Sequence, residues 1–302
     1  MPVDPAFVDI EGPWEHRYVA ANGARFHVAV MGDGPLVMML HGFPQFWYTW
    51  RHQMTALASC GYRVAAMDLR GYGGSDKPPR GYDTYMSTLD TASIIRALGE
   101  SSAVVLGQGL GGWVAWCMPT FRRDVTRAIA ALSMPHPRVI RHATWTSRHQ
   151  REASRWILDL QKPFRPERAM NRSHAYVEGI LTAWSSPHGT FPSSEDVARY
   201  GDAMMIPFVA HSAAEHYRWI GRSSVRPDGP MFMRRVRRPV EVPVLQVQGT
   251  DDRCVLADTT TGSGVYVPRD YRYVVVDGAG HFLTEEAPHA VNRILIDWLD
   301  SL

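Results

Sequence analysis

The chain has 302 residues, of which 45% are hydrophobic, enough to bury one large core together with a substantial insertion. Its 32 Lys and Arg against 30 Asp and Glu leave a net charge of +2, with no block of like charge of the kind that marks a nucleic-acid-binding arm or an acidic tail. Nucleic acid is therefore not the expected partner, and Arg234, Arg235, Arg237 and Arg238, followed at once by Pro239, read as a solvated linker.

Residues 1–19 mix prolines with acids and lack a basic start and an apolar run, so no signal peptide is expected. No stretch is long enough to span a bilayer, and the three scattered cysteines, Cys60, Cys117 and Cys254, fit neither a disulfide framework nor a metal-ligand set. These features predict a soluble cytoplasmic protein without a membrane partner. Short apolar runs at residues 24–31, 36–40, 62–69, 103–106 and 128–132 predict strands, and residues 84–98 and 112–121 carry apolar side chains at helical spacing. Such alternation implies an α/β fold with a mostly parallel central sheet and helices on both faces.

From residue 135 to 239 the strand-like runs vanish, Trp, Met, Arg and His rise, and prolines break the pattern into short helices. Strand signals return at residues 244–247 and 271–276, before an amphipathic helix at 287–302 with Val291, Ile294, Leu295 and Trp298 on one face. The expected organisation is a core built from residues 1–134 and 240–302, with residues 135–239 inserted as a helical cap.

The candidate motifs fall where predicted strands end, the place where open α/β sheets gather ligands. His41-Gly42-Phe43-Pro44 follows the strand at 36–40, and a glycine-rich turn, Asp68-Leu69-Arg70-Gly71-Tyr72-Gly73-Gly74-Ser75-Asp76, follows the next. Gly107-Gln108-Gly109-Leu110-Gly111 has the spacing of a strand-to-helix nucleophile elbow. Asp251-Asp252 ends the strand at 244–247, and Gly278-Ala279-Gly280-His281 ends the last strand. Spacing from Gly249 favours Asp252 over Asp251 as the acid, and elbow, acid, histidine is the chain order of α/β-hydrolases. Gly107, Gly109 and Gly112 also spell a dinucleotide fingerprint, but the motif lies about a hundred residues in and no strand-end acid follows about 20 residues later, as ribose binding requires.

Together these motifs resemble the epoxide hydrolases and their haloalkane dehalogenase relatives from about Trp14 to the C-terminus. The resemblance implies an oxyanion hole from the backbone N–H groups of Phe43 and Leu110, each donor worth about 3 kcal/mol. It also implies a proton-donating lid tyrosine at Tyr217, within Glu215-His216-Tyr217-Arg218, and places Trp156 where the family has its second lid tyrosine. At the elbow the family carries an aspartate nucleophile, and here the residue is Gly109, flanked by Gln108 and Leu110 in place of the usual histidine and Trp or Arg.

A covalent route through position 109 is therefore closed, whereas His281 as base and Asp252 as its orienting acid remain. His41, Trp47, Trp113 and Trp156 are expected to line an apolar pocket for a small-molecule substrate; Trp50 and Trp116 read as core. Three functions follow: a hydrolase in which His281 activates water directly, a base-catalysed lyase, isomerase or cyclase, or a ligand-binding pseudo-hydrolase. No cofactor is implied, and His142, His149, His174, His211 and His216 lack mutual metal spacing, so no metal is expected. The sequence is compatible with a homodimer without specifying one.

Overall fold

A computed structural model describes residues 3–223 and 225–302. One sheet of eight strands forms its centre: β1 (Glu15–Ala21), β2 (Ala24–Met31), β3 (Leu36–Leu40), β4 (Arg63–Met67), β5 (Ala103–Gln108), β6 (Thr126–Leu132), β7 (Val244–Gly249) and β8 (Tyr271–Val276). Their order across the sheet is β1-β2-β4-β3-β5-β6-β7-β8. The hairpin β1–β2 joins β4 antiparallel, and every later pairing is parallel. All residues of β3, β5 and β7 are buried, which is why their sequences are mostly apolar, with only Gln108, Gln246 and Gln248 as polar side chains: helices cover both faces of a parallel sheet.

Three helices follow the early strands, α1 (Arg51–Ser59), α2 (Thr84–Ala97) and α3 (Leu110–Phe121). Asp83 caps α2 by accepting from the Met86 N–H. Between β6 and β7 come eight helices and, among the described residues, no strand: α4 (Pro137–Thr146), α5 (Arg148–Ala153), α6 (Trp156–Leu160), α7 (Arg165–Arg172), α8 (Ala175–Trp184), α9 (Ser194–Met205), α10 (Val209–Arg222) and α11 (Asp228–Arg235). The chain closes with α12 (Ala257–Thr260), α13 (Leu283–Glu286) and α14 (Pro288–Leu299). No helix among the described residues is long and apolar enough to cross a membrane.

Buried polar contacts tie the helical segment to the sheet. His216 on α10 bonds the Arg70 carbonyl at 2.9 Å; burial lowers its pKa to about 4, so the neutral ring donates. Gln150 on α5 bonds the Cys254 carbonyl and the Leu256 N–H, and Tyr200 on α9 bonds Glu285. Each anchor lies in or beside a loop at the carboxyl ends of strands, so α4–α11 sit over the edge where the motifs gather.

Outside the helical segment, β1, α1, α12 and α13 were not expected. Strand β1 mixes exposed and half-buried residues at the sheet edge and so has no apolar run; α1 buries only Gln53, Met54 and Leu57. The strand expected at 62–69 spans Arg63–Met67, where the Asp68 carboxylate bonds the Trp47 and Gly74 N–H groups and the Leu69 N–H donates to His41 Nε2, and the helix expected at 287–302 is α14, Pro288–Leu299. The glycines around the elbow have a packing cause: a Cβ on Gly107 would lie 2.1 Å from the Gly111 carbonyl oxygen, and one on Gly111 would lie 2.0 Å from that of Leu40. Only glycine lets α3 approach β5 and β3 this closely.

Candidate active site

The turn from β5 into α3 is sharp. Gly109 has φ +54° and ψ −115°, a conformation that costs any residue with a side chain about 1–3 kcal/mol. Its N–H donates to the Leu132 carbonyl at 3.0 Å and its carbonyl accepts from Trp113 N–H at 2.9 Å, so the kink is held from both sides. A Cβ built on Gly109 would lie 3.3 Å from His281 Nε2 and 3.6 Å from the Gly42 Cα. The imidazole and the His41-Gly42-Phe43 turn therefore meet at this one backbone atom.

His281 is fixed by its neighbours on every side. Its N–H donates to the Trp184 carbonyl at 3.0 Å, and its Nδ1 lies 2.9 Å from Asp252 Oδ2. The Asp252 carboxylate, fully buried, also accepts from the N–H groups of Cys254 and Val255, both at 2.8 Å, and from Gln248 Nε2 at 2.9 Å. A carboxylate so supplied with donors accepts from the ring as well, which places the proton on Nδ1 and leaves the Nε2 lone pair facing the elbow. Asp251 instead accepts from Ser186 Oγ at 2.6 Å and does not meet the ring.

The turn that presents His281 is held by Glu286, whose Oε2 accepts from Ser186 and Gly280 N–H at 2.8 Å and whose Oε1 accepts from Phe282 N–H at 2.9 Å. Burial raises the pKa of this carboxyl, and the three N–H donors oppose that shift. Removing the carboxylate would leave these half-buried donors unpaired, so Glu286→Ala is expected to lower stability by about 2 kcal/mol or more, read from the urea midpoint at unchanged m-value.

Two further features complete the geometry. Neither Phe43 N–H nor Leu110 N–H, the latter at the first position of the 12-residue α3, donates in a hydrogen bond among the described residues. Above them four aromatic side chains pack together: Trp156 stacks on Phe43 at 5.9 Å and lies 4.7 Å from both Trp184 and Tyr217, and Trp184 meets the His281 ring edge-on at 5.4 Å. Tyr217 also meets Phe43 at 5.7 Å. Burial pushes the Tyr217 phenol well above its ordinary pKa, so it stays protonated, and among the described residues the buried Trp156 N–H has no hydrogen-bond partner.

The profile of the alpha/beta hydrolase family matches residues 37–294. The chain belongs to the alpha/beta hydrolase family. Among curated relatives, it is 33% identical to an AB hydrolase superfamily protein of Bacillus subtilis over 94% of this chain and 97% of that one. It is 30% identical to epoxide hydrolase A of Mycobacterium tuberculosis over 95% and 97% of the two chains. Among solved structures, an epoxide hydrolase from an endophytic Streptomyces superposes with a TM-score of 0.82 at 28% identity, covering 96% of each chain.

Two side chains expected to line the pocket, His41 and Trp47, are instead fully buried in bracing roles. His41 is fully buried, its Nδ1 bonded to the Gly42 carbonyl at 2.8 Å and its Nε2 to the Leu69 N–H at 3.0 Å. Both ring nitrogens are used in bracing two turns together, and burial lowers the ring's pKa. Trp47 is also fully buried, donates to the Val8 carbonyl at 2.9 Å and packs on Trp14, so it underpins the N-terminal segment. Trp113 donates to Thr84 Oγ1 at 2.9 Å, stacks on Phe232 and, as expected of it, lines an apolar cavity, of about 440 Å³, together with Ile140, Ile157 and Met233. His41 and Trp47 are held by backbone partners that residue spacing does not show.

Trp184, Glu286 and Gln248 were not anticipated. Trp184 lies in a helix without a motif, and the other two act through backbone or second-order contacts that only the fold brings together. Gln108 bonds Gln45 Oε1 and the Thr284 N–H, both at 3.2 Å, a polar strut beneath the elbow where the resemblance implies a histidine.

Proposed function

We propose that this chain is an epoxide-hydrolase-like enzyme acting on a bulky apolar small molecule, in which His281 activates water directly and no covalent aspartyl intermediate forms. The observation that carries this reading is the 3.3 Å between His281 Nε2 and the point where a side chain on residue 109 would begin. The base is aimed at the elbow, and the elbow residue has nothing to attack with.

In this reading Nε2 takes a proton from a water beside Gly109, and Asp252 stabilises the resulting imidazolium. The water oxygen forms a bond to an epoxide carbon as that carbon's bond to the ring oxygen breaks. Tyr217 gives its phenol proton to the departing oxygen and recovers one from His281 in the following step. For an activated ester the developing oxyanion would face the Phe43 and Leu110 N–H groups instead. The helices from residue 135 to 239 act as the cap, with Phe43, Trp156 and Trp184 giving the apolar contacts, and no cofactor takes part.

The test is a panel of aryl and alkyl epoxides and p-nitrophenyl esters incubated with the native chain in water enriched in ¹⁸O. Hydrolysis with one labelled oxygen in the product, from the first turnover onward, is the expected result; a single turnover that leaves the label in the protein contradicts it. Product formed without solvent oxygen would instead place the chain among lyases, isomerases or cyclases. A second reading, a ligand-binding protein without turnover, is favoured by the mutual packing of Phe43, Trp156, Trp184 and Tyr217 above His281. Saturable binding of a panel member without product would establish it.

A further inference from the structure

At the β1–β2 edge of the sheet, separated from the elbow by β4 and β3, three side chains converge that the proposed mechanism does not use. The geometry points to a divalent transition-metal site, best matched to Zn²⁺, formed by His16 Nδ1, His27 Nε2 and an Asp9 carboxylate oxygen. This departs from the sequence expectation of no metal, which rests on the three cysteines and on the histidines between residues 135 and 239.

His27 Nδ1 lies 2.9 Å from Asp68 Oδ2, and the same carboxylate accepts from the Trp47 and Gly74 N–H groups at 2.9 Å. His27 therefore carries its proton on Nδ1 and presents a lone pair at Nε2. His16 Nε2 lies 2.8 Å from the Ile10 carbonyl oxygen, which can only accept, so neutral His16 carries its proton there and presents a lone pair at Nδ1. Yet His16 Nδ1 and His27 Nε2 are 2.9 Å apart, aimed at one another. Two facing lone pairs repel unless a cation lies between them.

Asp9 supplies the counter-charge. Its Oδ1 is 3.5 Å from His27 Nε2 and 4.0 Å from His16 Nδ1, and the three ligand atoms lie within 4.8 Å of one another. Tetrahedral zinc with bonds of about 2.0–2.1 Å holds its ligand atoms about 3.3 Å apart. The observed separations bracket that value, so shifts of well under 1 Å would complete the set.

The outer contacts that metal-binding imidazoles require are already made: a carboxylate on the far nitrogen of His27, a carbonyl on that of His16, and the Tyr18 hydroxyl on Asp9 at 3.0 Å. Two imidazoles and one carboxylate suit Zn²⁺ better than Mg²⁺ or Ca²⁺, which favour all-oxygen sets. The His27 side chain is fully buried while that of Asp9 is 36% exposed, giving an entry path and a fourth position for water. A bound ion would pin the segment around Val8 to the sheet and, through Asp68, stiffen the glycine-rich turn.

The full chain, stripped with chelator, is titrated with ZnCl₂ by calorimetry and with CoCl₂ by visible absorption. One Zn²⁺ per chain, a tetrahedral Co²⁺ spectrum and a thermal midpoint raised by Zn²⁺ are expected. His16→Gln and Asp9→Asn should each weaken binding at least about tenfold while keeping the native circular dichroism, and the exposed His142→Gln should leave it unchanged. Absence of stoichiometric binding overturns the assignment, as does binding that survives in both ligand variants. A nitrogen-15 spectrum showing one proton shared between the two rings at saturating Zn²⁺ overturns it too, because the cation between them is then the proton.

Discussion

His281→Gln is expected to lower kcat for whichever epoxide or ester the native chain hydrolyses by about 100- to 10,000-fold, the usual worth of a positioned general base. Glutamine is chosen because its amide N–H can still donate to Asp252, so the buried carboxylate keeps a partner in place of the ring nitrogen 2.9 Å away. The fold should then survive, and loss of rate cannot be assigned to an orphaned charge. KM should change little, since the aromatic contacts from Phe43, Trp156, Trp184 and Tyr217 are untouched. Initial rates over a substrate series give kcat and KM separately. Hydrolysis persisting at the native rate would show that the base lies elsewhere, and the proposed role of the His281–Asp252 pair would fall.

The core of the fold was legible because its physics is local. Strands β3, β5 and β7 are covered on both faces, and burial on both faces writes itself as a mostly apolar run, unbroken in β3. The edge strand β1 was not legible, for its partner on one side is solvent and its side chains follow no apolar alternation. At the site, the residues at strand ends could be named from spacing alone, since a loop that leaves a parallel strand must cross the same edge of the sheet.

What spacing could not show was the direction of each aromatic ring. Trp47 and Trp156 are equally apolar, but Trp47 has the Val8 carbonyl within reach and turns below the turn that carries it, whereas Trp156 packs over Phe43. The Asp9-His16-His27 cluster escaped for a related reason. Its members come from the N-terminal segment and two antiparallel strands, so no sequence interval resembles a metal motif, and only the pairing of Tyr18 with His27 in the hairpin brings the side chains together.

Gly109→Asp is expected to destabilise the chain by about 1–3 kcal/mol, the cost of holding a side chain at φ +54°, and to open a covalent route that the native chain lacks. The new Cβ would sit 3.3 Å from His281 Nε2, tight enough that the ring must yield by a few tenths of an ångström, so the carboxylate and the base would share one corner of the site. With an epoxide, the introduced carboxylate would attack carbon, open the ring and form an ester, which water activated by His281 then cleaves. The double variant with His281→Gln keeps the attack and removes the second step. Intact-protein mass should therefore show an added substrate mass in the double variant and none in native chain or in His281→Gln alone. If no adduct forms although the variant is folded by circular dichroism, the elbow does not face the bound substrate, and position 109 has lost its claim on the chemistry. Adduct formation with unchanged native turnover would instead show one site supporting two routes: a base that serves water when the elbow is bare, and an ester when it is not.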